Sequence, residues 1–288
     1  MKTVVIGLGA MGAGMAANLH NAGQLHCAWN RSPARGQALV ARCGATVVDD
    51  LATAVSEAEL VITCVSTDAD LLSVCDRIKD HMPRGGILLD TSTVAAGTAR
   101  TIAEQLAEAG IAFLDGPVSG GKEGADKGTM VMMVGGDAAV LARIRPVLEI
   151  ITGRVEHMGP VGAGQTTKAV NQIMVAGINQ AVTEALAVGQ KQGLDMDKVI
   201  DLLGGGAAGS WFLKVRGPTM VHDSYAPGFR LALHHKDLKI CQAMAQEMGA
   251  QLPIVEMTLV HYQRLMEAGH GDEDISALFR QKKTLFEH

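Results

Sequence analysis

GPVGAGQTTKAVNQ, residues 159–172, opens the stretch that decides how the chain is organised. Glycines at 159, 162 and 164 and a proline at 160 end whatever precedes them. From Gln165 to Gln192 there is no proline, and only Gly177 and Gly189 interrupt the run before a break at Gly193. At ~1.5 Å per residue such a run makes a helix roughly 40 Å long. Most of it is apolar, yet Gln165, Lys168, Gln172, Asn179, Thr183 and Gln190 recur at spacings of three, four and seven, which is one stripe of a helix. A helix apolar on most sides is expected to be buried. It would therefore carry a cation, Lys168, flanked by Asn171 and Gln172, on a largely buried surface near its N-terminal end.

Upstream of this run the pattern alternates. Thr3–Ile6 is a short β-rich segment that feeds into Gly7-Leu-Gly9-Ala10-Met11-Gly12, followed by a helical stretch to Asn21 and a second strand over His26–Trp29. Strand, GxGxxG, helix, strand is the pattern of a dinucleotide-binding βαβ unit. Its glycines allow a tight turn, close approach of a pyrophosphate and close helix–strand packing. The phosphates rest on free N–H groups at the helix start. At the end of the second strand an NAD site usually carries a carboxylate for the ribose hydroxyls. Here the residues are Asn30-Arg31-Ser32, with Arg35 beyond. A guanidinium and a hydroxyl suit a 2′-phosphate, so NADP(H) is expected over NAD(H).

Further strands are expected at Ala45–Val48, Leu60–Val65 and Gly86–Leu89, alternating with helices of the type Ala69–Lys79 and Ala95–Ala109. That alternation argues for a doubly wound parallel sheet, with ligands at the carboxyl ends of its strands. Val65, Ser66 and Thr93 lie at such ends and should face the cofactor. A strand ending at Asp115 then runs into Gly116-Pro117-Val118-Ser119-Gly120-Gly121. Successive glycine N–H groups with a serine hydroxyl can converge on an anion such as a carboxylate. A strand at Thr129–Val134, a helix at Asp137–Ile150 and a last strand at Val155–Met158 are expected to close the domain.

Composition removes several classes of protein. Hydrophobic residues make up 48% of 288 and charged ones 19%, which excludes a disordered chain. A net charge of −5 offers no basic field for nucleic acid. The long run contains Asn171, Gln172, Asn179, Gln180 and Glu184, so no membrane span is expected. The five cysteines are scattered without a CxxC pair and read as reduced fillers. The segment MKTVVIG lacks the marks of a secretory leader, so a cytoplasmic location is expected. Beyond Gly193 only helices are expected, at about Asp195–Leu203, Trp211–Met220, Lys236–Met248, Pro253–Ala268 and Ile275–Leu285. The adjacent His234 and His235 point to different sides of a helix and lack a spaced third ligand, so no metal site is expected.

Four blocks taken together, GLGAMG at 7–12, DGPVSGG at 115–121, GAGQTTKAVNQ at 162–172 and HHKDL at 234–238, resemble the 3-hydroxyacid dehydrogenase family. That family includes the 3-hydroxyisobutyrate dehydrogenases and tartronate semialdehyde reductases. The resemblance runs along essentially the whole chain, and GGGAAGSW, PGF and GAQLP in the second half look closest to the tartronate semialdehyde reductase branch. It implies a Rossmann-type α/β domain over residues 1–161 and an all-α domain over 162–288, joined by a long interdomain helix at about 163–192, with the active site in the cleft between. It makes Lys168 the catalytic acid/base and places Ser119, Gly120 and Gly121 on the substrate carboxylate. Asn171, Gln172 and Lys236 would complete the pocket, Lys236 also lying near the cofactor. Many relatives carry two asparagines after the lysine where this chain has Asn171-Gln172, which leaves open which amide meets the substrate.

The reaction so implied interconverts a short 3-hydroxy acid and its aldehyde acid. Imine reductases share the fold and glycine turn but generally lack the lysine, and a non-catalytic dinucleotide-binding scaffold would have no need of it. The apolar share of the C-terminal helices also points to a homodimer or homotetramer.

Overall fold

The computed structural model describes residues 1–286, arranged as two compact units, Met1–Lys168 and a second that begins at Ala169. The division falls inside the long helix, after Lys168.

In chain order the first unit runs β1 (Thr3–Ile6), α1 (Gly12–Asn21), β2 (Leu25–Trp29), α2 (Pro33–Cys43), α3 (Leu51–Val55), β3 (Leu60–Thr63), α4 (Asp68–Ile78) and β4 (Ile87–Asp90). It continues with α5 (Ala96–Glu108), β5 (Ala112–Asp115), β6 (Val118–Ser119), α6 (Gly121–Lys127), β7 (Met130–Gly135), α7 (Ala138–Ile151) and β8 (Thr152–Gly159). The strands form one sheet in the order β2-β1-β3-β4-β5-β7-β6, with β8 also paired to β7. From β2 to β5 every pairing is parallel. The inner strands TVVI, LVIT and ILLD are buried at every position. Their alternate side chains enter two different cores: Val5, Leu60, Ile62, Ile87 and Leu89 one, Val4, Ile6, Val61 and Leu88 the other. A sheet covered on both faces needs such uninterrupted apolar strands.

Two expectations about the sheet are corrected. Ala45–Val48 forms no strand but a single bridge, Ala28 to Val47. Ala28 N donates to Thr46 O and Val48 N donates to Ala28 O, after which Asp50 caps α3 and turns the chain away. The sheet is also not parallel throughout, since β7 runs antiparallel to both β5 and β6. Between β6 and β7 lies only the seven-residue α6, too short a connection for a parallel crossover.

The long helix is α8 (Ala163–Lys191), whose first turns belong to the first unit. The second unit adds α9 (Met196–Gly204), α10 (Trp211–Val221), α11 (Leu231–Glu247), α12 (Pro253–Glu267), a 3-10 turn at Ile275–Ala277, α13 (Leu278–Lys283) and a final 3-10 turn at Thr284–Phe286. Thus α11 starts five residues before the expected Lys236, and the expected helix at Ile275–Leu285 is broken into three pieces. Ala176, Leu186, Phe212, Leu238, Tyr262 and Phe279 belong to its core.

Helix α8 buries polar and apolar side chains alike. Gln165, Lys168, Gln172, Asn179 and Thr183 are buried, while Val170, Met174 and Val188 are exposed, Met174 by 62%. Only Gln190 of the polar stripe faces solvent. The buried amide nitrogens are held: Asn179 Nδ2 donates to Tyr262 Oη and Ile275 O, both at 2.8 Å, and Gln180 Nε2 to Thr258 Oγ1 at 3.1 Å, while Asn179 Oδ1 and Gln180 Oε1 are enclosed without a hydrogen-bond partner among the described residues. Buried polar groups are tolerable when paired in this way. No helix among the described residues is long and apolar enough to cross a membrane.

Candidate active site

The glycine turn between β1 and α1 is sterically enforced. Gly7 has φ +96°, and a Cβ there would lie 2.2 Å from Cys64 O; one on Gly12 would lie 1.9 Å from Gly7 O. At Gly9 the nearest atom to such a Cβ is Arg35 Nη1 at 3.5 Å, so that face is open to a ligand's approach. Met11 caps α1 without a side-chain bond, and the first turn, which Ala10 leads into, holds no acidic residue. Free N–H groups at an uncapped helix start fit a pyrophosphate, and the turn lies where the strand order reverses, between β1 and β3.

The residues at the end of β2 divide their work. Asn30 Oδ1 accepts from Leu8 N at 2.8 Å and its Nδ2 donates to Ser32 O, so this amide braces the glycine turn. Arg31, Ser32 and Arg35 are exposed side by side at the start of α2. Ser32 makes no side-chain capping bond to that helix. Arg31 Nη1 pairs with Asp70 Oδ1 at 2.8 Å. Partial burial opposes the Asp70 charge, but bonds from Thr67 and Arg31 bring its carboxyl below the usual range.

Val65 and Thr93 are half-buried and Ser66 is exposed at the carboxyl ends of β3 and β4. Beneath them, Asp90 Oδ1 accepts from Thr63 Oγ1 at 2.8 Å and Ser92 Oγ at 2.7 Å, and Ser92 Oγ in turn accepts from Val65 N at 2.8 Å. Asp90 Oδ2 is enclosed without a hydrogen-bond partner among the described residues. Burial pushes this carboxyl up to about 7, against the pull of Ser92 and Thr63. The adjacent Cys64 thiol is pushed up to about 11, again by burial, and so stays protonated near neutral pH.

Asp115 ends β5 beside Asp90 and joins two parts of the site. Its Oδ1 accepts from Gly162 N at 2.7 Å and its Oδ2 from Gln165 N at 2.9 Å, which anchors the start of α8. Gln165 Nε2 donates to Ser92 O at 2.8 Å and its Oε1 accepts from Val94 N at 3.2 Å. One turn on, Lys168 is 6% exposed and donates from Nζ to Val118 O at 2.9 Å. The first unit thus brings Lys168 against the residue that precedes Ser119. Gly120 and Gly121 follow at φ +134° and +62°, two successive residues in a region that side chains avoid. Ser119 is half-buried, and its hydroxyl takes no hydrogen bond among the described residues.

In the second unit Gln172 is buried and fully engaged. Its Nε2 donates to Asp237 Oδ2 at 2.6 Å and its Oε1 accepts from Asn171 Nδ2 at 2.8 Å. Lys236 Nζ pairs with Asp237 Oδ1 at 2.9 Å, so one carboxylate orders both residues. His234 has Tyr262 Oη 3.0 Å from Nδ1 and Gln172 O 3.2 Å from Nε2. A carbonyl can only accept, so Nε2 carries the proton and Nδ1 accepts from the tyrosine. No group of three or more potential metal ligands occurs among the described residues. Sequence reasoning did not single out Asp70, Asp90, Asp115, Gln165 or Asp237 for these supporting roles. Gln165 lay on the polar stripe, and Asp115 and Asp237 within quoted blocks.

The largely parallel sheet with its uncapped glycine turn, followed by a helical unit, defines an NAD(P)-linked oxidoreductase scaffold. Residues 2–159 match the NAD binding domain of 6-phosphogluconate dehydrogenase, and residues 162–281 match the NAD-binding domain of NADP-dependent 3-hydroxyisobutyrate dehydrogenase. A 2-hydroxy-3-oxopropionate reductase of Escherichia coli is 36% identical, covering 100% of this chain and 99% of its own. An NAD-dependent L-serine dehydrogenase of Pseudomonas aeruginosa is 34% identical, with 96% and 97% covered. The solved structure of Mycobacterium tuberculosis 3-hydroxyisobutyrate dehydrogenase with L-serine superposes with a TM-score of 0.88 at 32% identity, over 98% of this chain and 99% of the other. The chain belongs to the NAD(P)-dependent 3-hydroxyacid dehydrogenase family of oxidoreductases.

Proposed function

We propose that this protein interconverts a short aldehyde acid, such as tartronate semialdehyde, and its 3-hydroxy acid, with NADP(H) favoured over NAD(H) and Lys168 as general acid/base. The observation that carries the reading is the buried Lys168 Nζ, 2.9 Å from the Val118 carbonyl oxygen at the head of the Ser119-Gly120-Gly121 turn. The similarity to a 2-hydroxy-3-oxopropionate reductase supports the substrate class.

The glycine turn at Gly7, Gly9 and Gly12 would hold a dinucleotide, which when bound would supply or accept the hydride. The chain's own groups do the rest. Ser119 Oγ and the N–H groups of Gly120 and Gly121 hold the substrate carboxylate and so fix the carbonyl's orientation, which lowers the entropic part of the barrier. Lys168 Nζ, positioned by Val118 O, can neutralise the alkoxide and deliver a proton in reduction, or take one in oxidation. Asn171 is the amide that meets substrate, because Gln172 is buried and spent on Asp237 and Asn171. Removing a general acid costs ~10²–10⁴ in rate. Lys168→Ala should therefore lose kcat by at least about a hundredfold and bind NADP+ with near-normal affinity in calorimetric titration. A variant within tenfold of wild-type kcat would place the acid elsewhere.

A further inference from the structure

The end of β2 lacks the carboxylate that an NAD site usually presents, but the folded chain supplies one from another element. Asp70 sits in the first turn of α4 and reaches Arg31 Nη1 at 2.8 Å. Its position is fixed on the other side, where Thr67 Oγ1 donates to Asp70 Oδ2 at 2.8 Å and accepts from Asp70 N at 3.1 Å. Thr67 and Asp70 form a reciprocal helix cap, so the carboxylate is not a loose surface group. The two partners are unequally held: Arg31 is 82% exposed, Asp70 only 23%. The neighbouring carboxylate Asp68 is committed elsewhere, to Ala95 N and Thr98 Oγ1.

We infer that Asp70 sets dinucleotide selectivity, competing with a 2′-phosphate for Arg31 and holding the preference for NADP(H) below what Arg31, Ser32 and Arg35 would give alone. The inference rests on the cofactor reading above. A phosphate arriving at Arg31 must either displace the carboxylate or share the guanidinium with it, bringing like charges together on one side chain. A ribose 2′-hydroxyl meets no such conflict, since it can donate to a carboxylate. Pre-ordering of Arg31 by Asp70 works in the opposite sense. An exposed pair of this kind is worth little in water, whereas like charges placed against one another at a binding surface weigh more heavily. The repulsion is therefore expected to prevail.

The test is calorimetric titration of NADP+ and of NAD+ into wild type, Asp70→Asn, Arg31→Ala and the double variant. Asparagine keeps an oxygen for Thr67 and removes both the charge and the acceptor that Arg31 uses. Asp70→Asn should tighten NADP+ by about three- to tenfold and leave NAD+ within about twofold. That gain should vanish in the Arg31→Ala background, because the effect runs through the guanidinium. An unchanged NADP+ to NAD+ ratio would overturn the inference. So would a fall in that ratio, which would make Asp70 a support for phosphate binding, or an equal gain without Arg31. A wild-type protein that binds neither dinucleotide would overturn the cofactor reading as well, while binding without the ratio change overturns this inference alone.

Discussion

Asp90 and Asp115 stand side by side at the ends of neighbouring strands, and burial raises both carboxyls above their ordinary values. For Asp90 the sign is unfavourable at neutral pH. Its folded value of about 7 exceeds that of an unfolded aspartate. Its contribution to stability is then present below about pH 4 and is lost as pH rises through about 7. Asp90→Asn removes the titration while keeping an acceptor for Thr63 and Ser92. Thermal unfolding across pH 4.5–7.5 should therefore show the variant gaining on wild type as pH rises, by up to a few kcal/mol in order of magnitude. Parallel curves would mean that Asp90 does not titrate in this window. Lys168 and the Ser119 turn could be picked out from their motifs. Gln165 could not be given its role, because that role is a pair of bonds to Ser92 and Val94, more than 70 positions away in the chain. Asp70 likewise reads in sequence as one more acidic residue at a helix start.

The element that organised the sequence reading, α8, shows where such reading stops. Its length, its polar stripe and the burial of Lys168 near its start follow from composition and spacing, but the partners of its buried amides do not. Tyr262, Thr258 and the Ile275 carbonyl pair with the amide nitrogens of Asn179 and Gln180, and a helical period carries no sign of those partners. The same holds at the sheet edge. Ala45–Val48 has the residues of a strand, but one bridge and the Asp50 cap end it. At the other end of α8's influence, Asp115 ties the start of the helix to the strand before the Ser119 turn. Asp115→Ala would leave the Gly162 and Gln165 N–H groups buried without an acceptor, a cost of about 1–3 kcal/mol each. The urea midpoint should fall accordingly, and kcat should drop because Lys168 sits one turn beyond, while NADP+ affinity holds nearly steady. Unaltered kcat would show that Lys168 is positioned without this anchor.

For the molecule as a whole, α8 and α12 both leave large apolar side chains in solvent: Val170, Met174 and Val188 on one, Ile254, Met257 and Val260 on the other. Extended exposed apolar surface on a folded chain marks association. Light scattering at micromolar concentration should give a multiple of the 30.1 kDa chain mass, and Met174→Lys should shift it toward the monomer. A wild-type mass of one chain would rule association out. The two tryptophans, finally, are divided between the units and differ in surroundings. Each has a guanidinium over its ring, Arg77 and Arg216, but Trp29 is 7% exposed with its indole Nε1 bonded to Asp49 O at 3.0 Å, whereas Trp211 is 63% exposed. Emission from the native protein must then contain a short-wavelength component from the sheet unit and a long-wavelength one from the helical unit. Loss of the first, at constant intensity of the second, would register the sheet unit opening by itself, so the chain carries a separate optical signal for each half without any label.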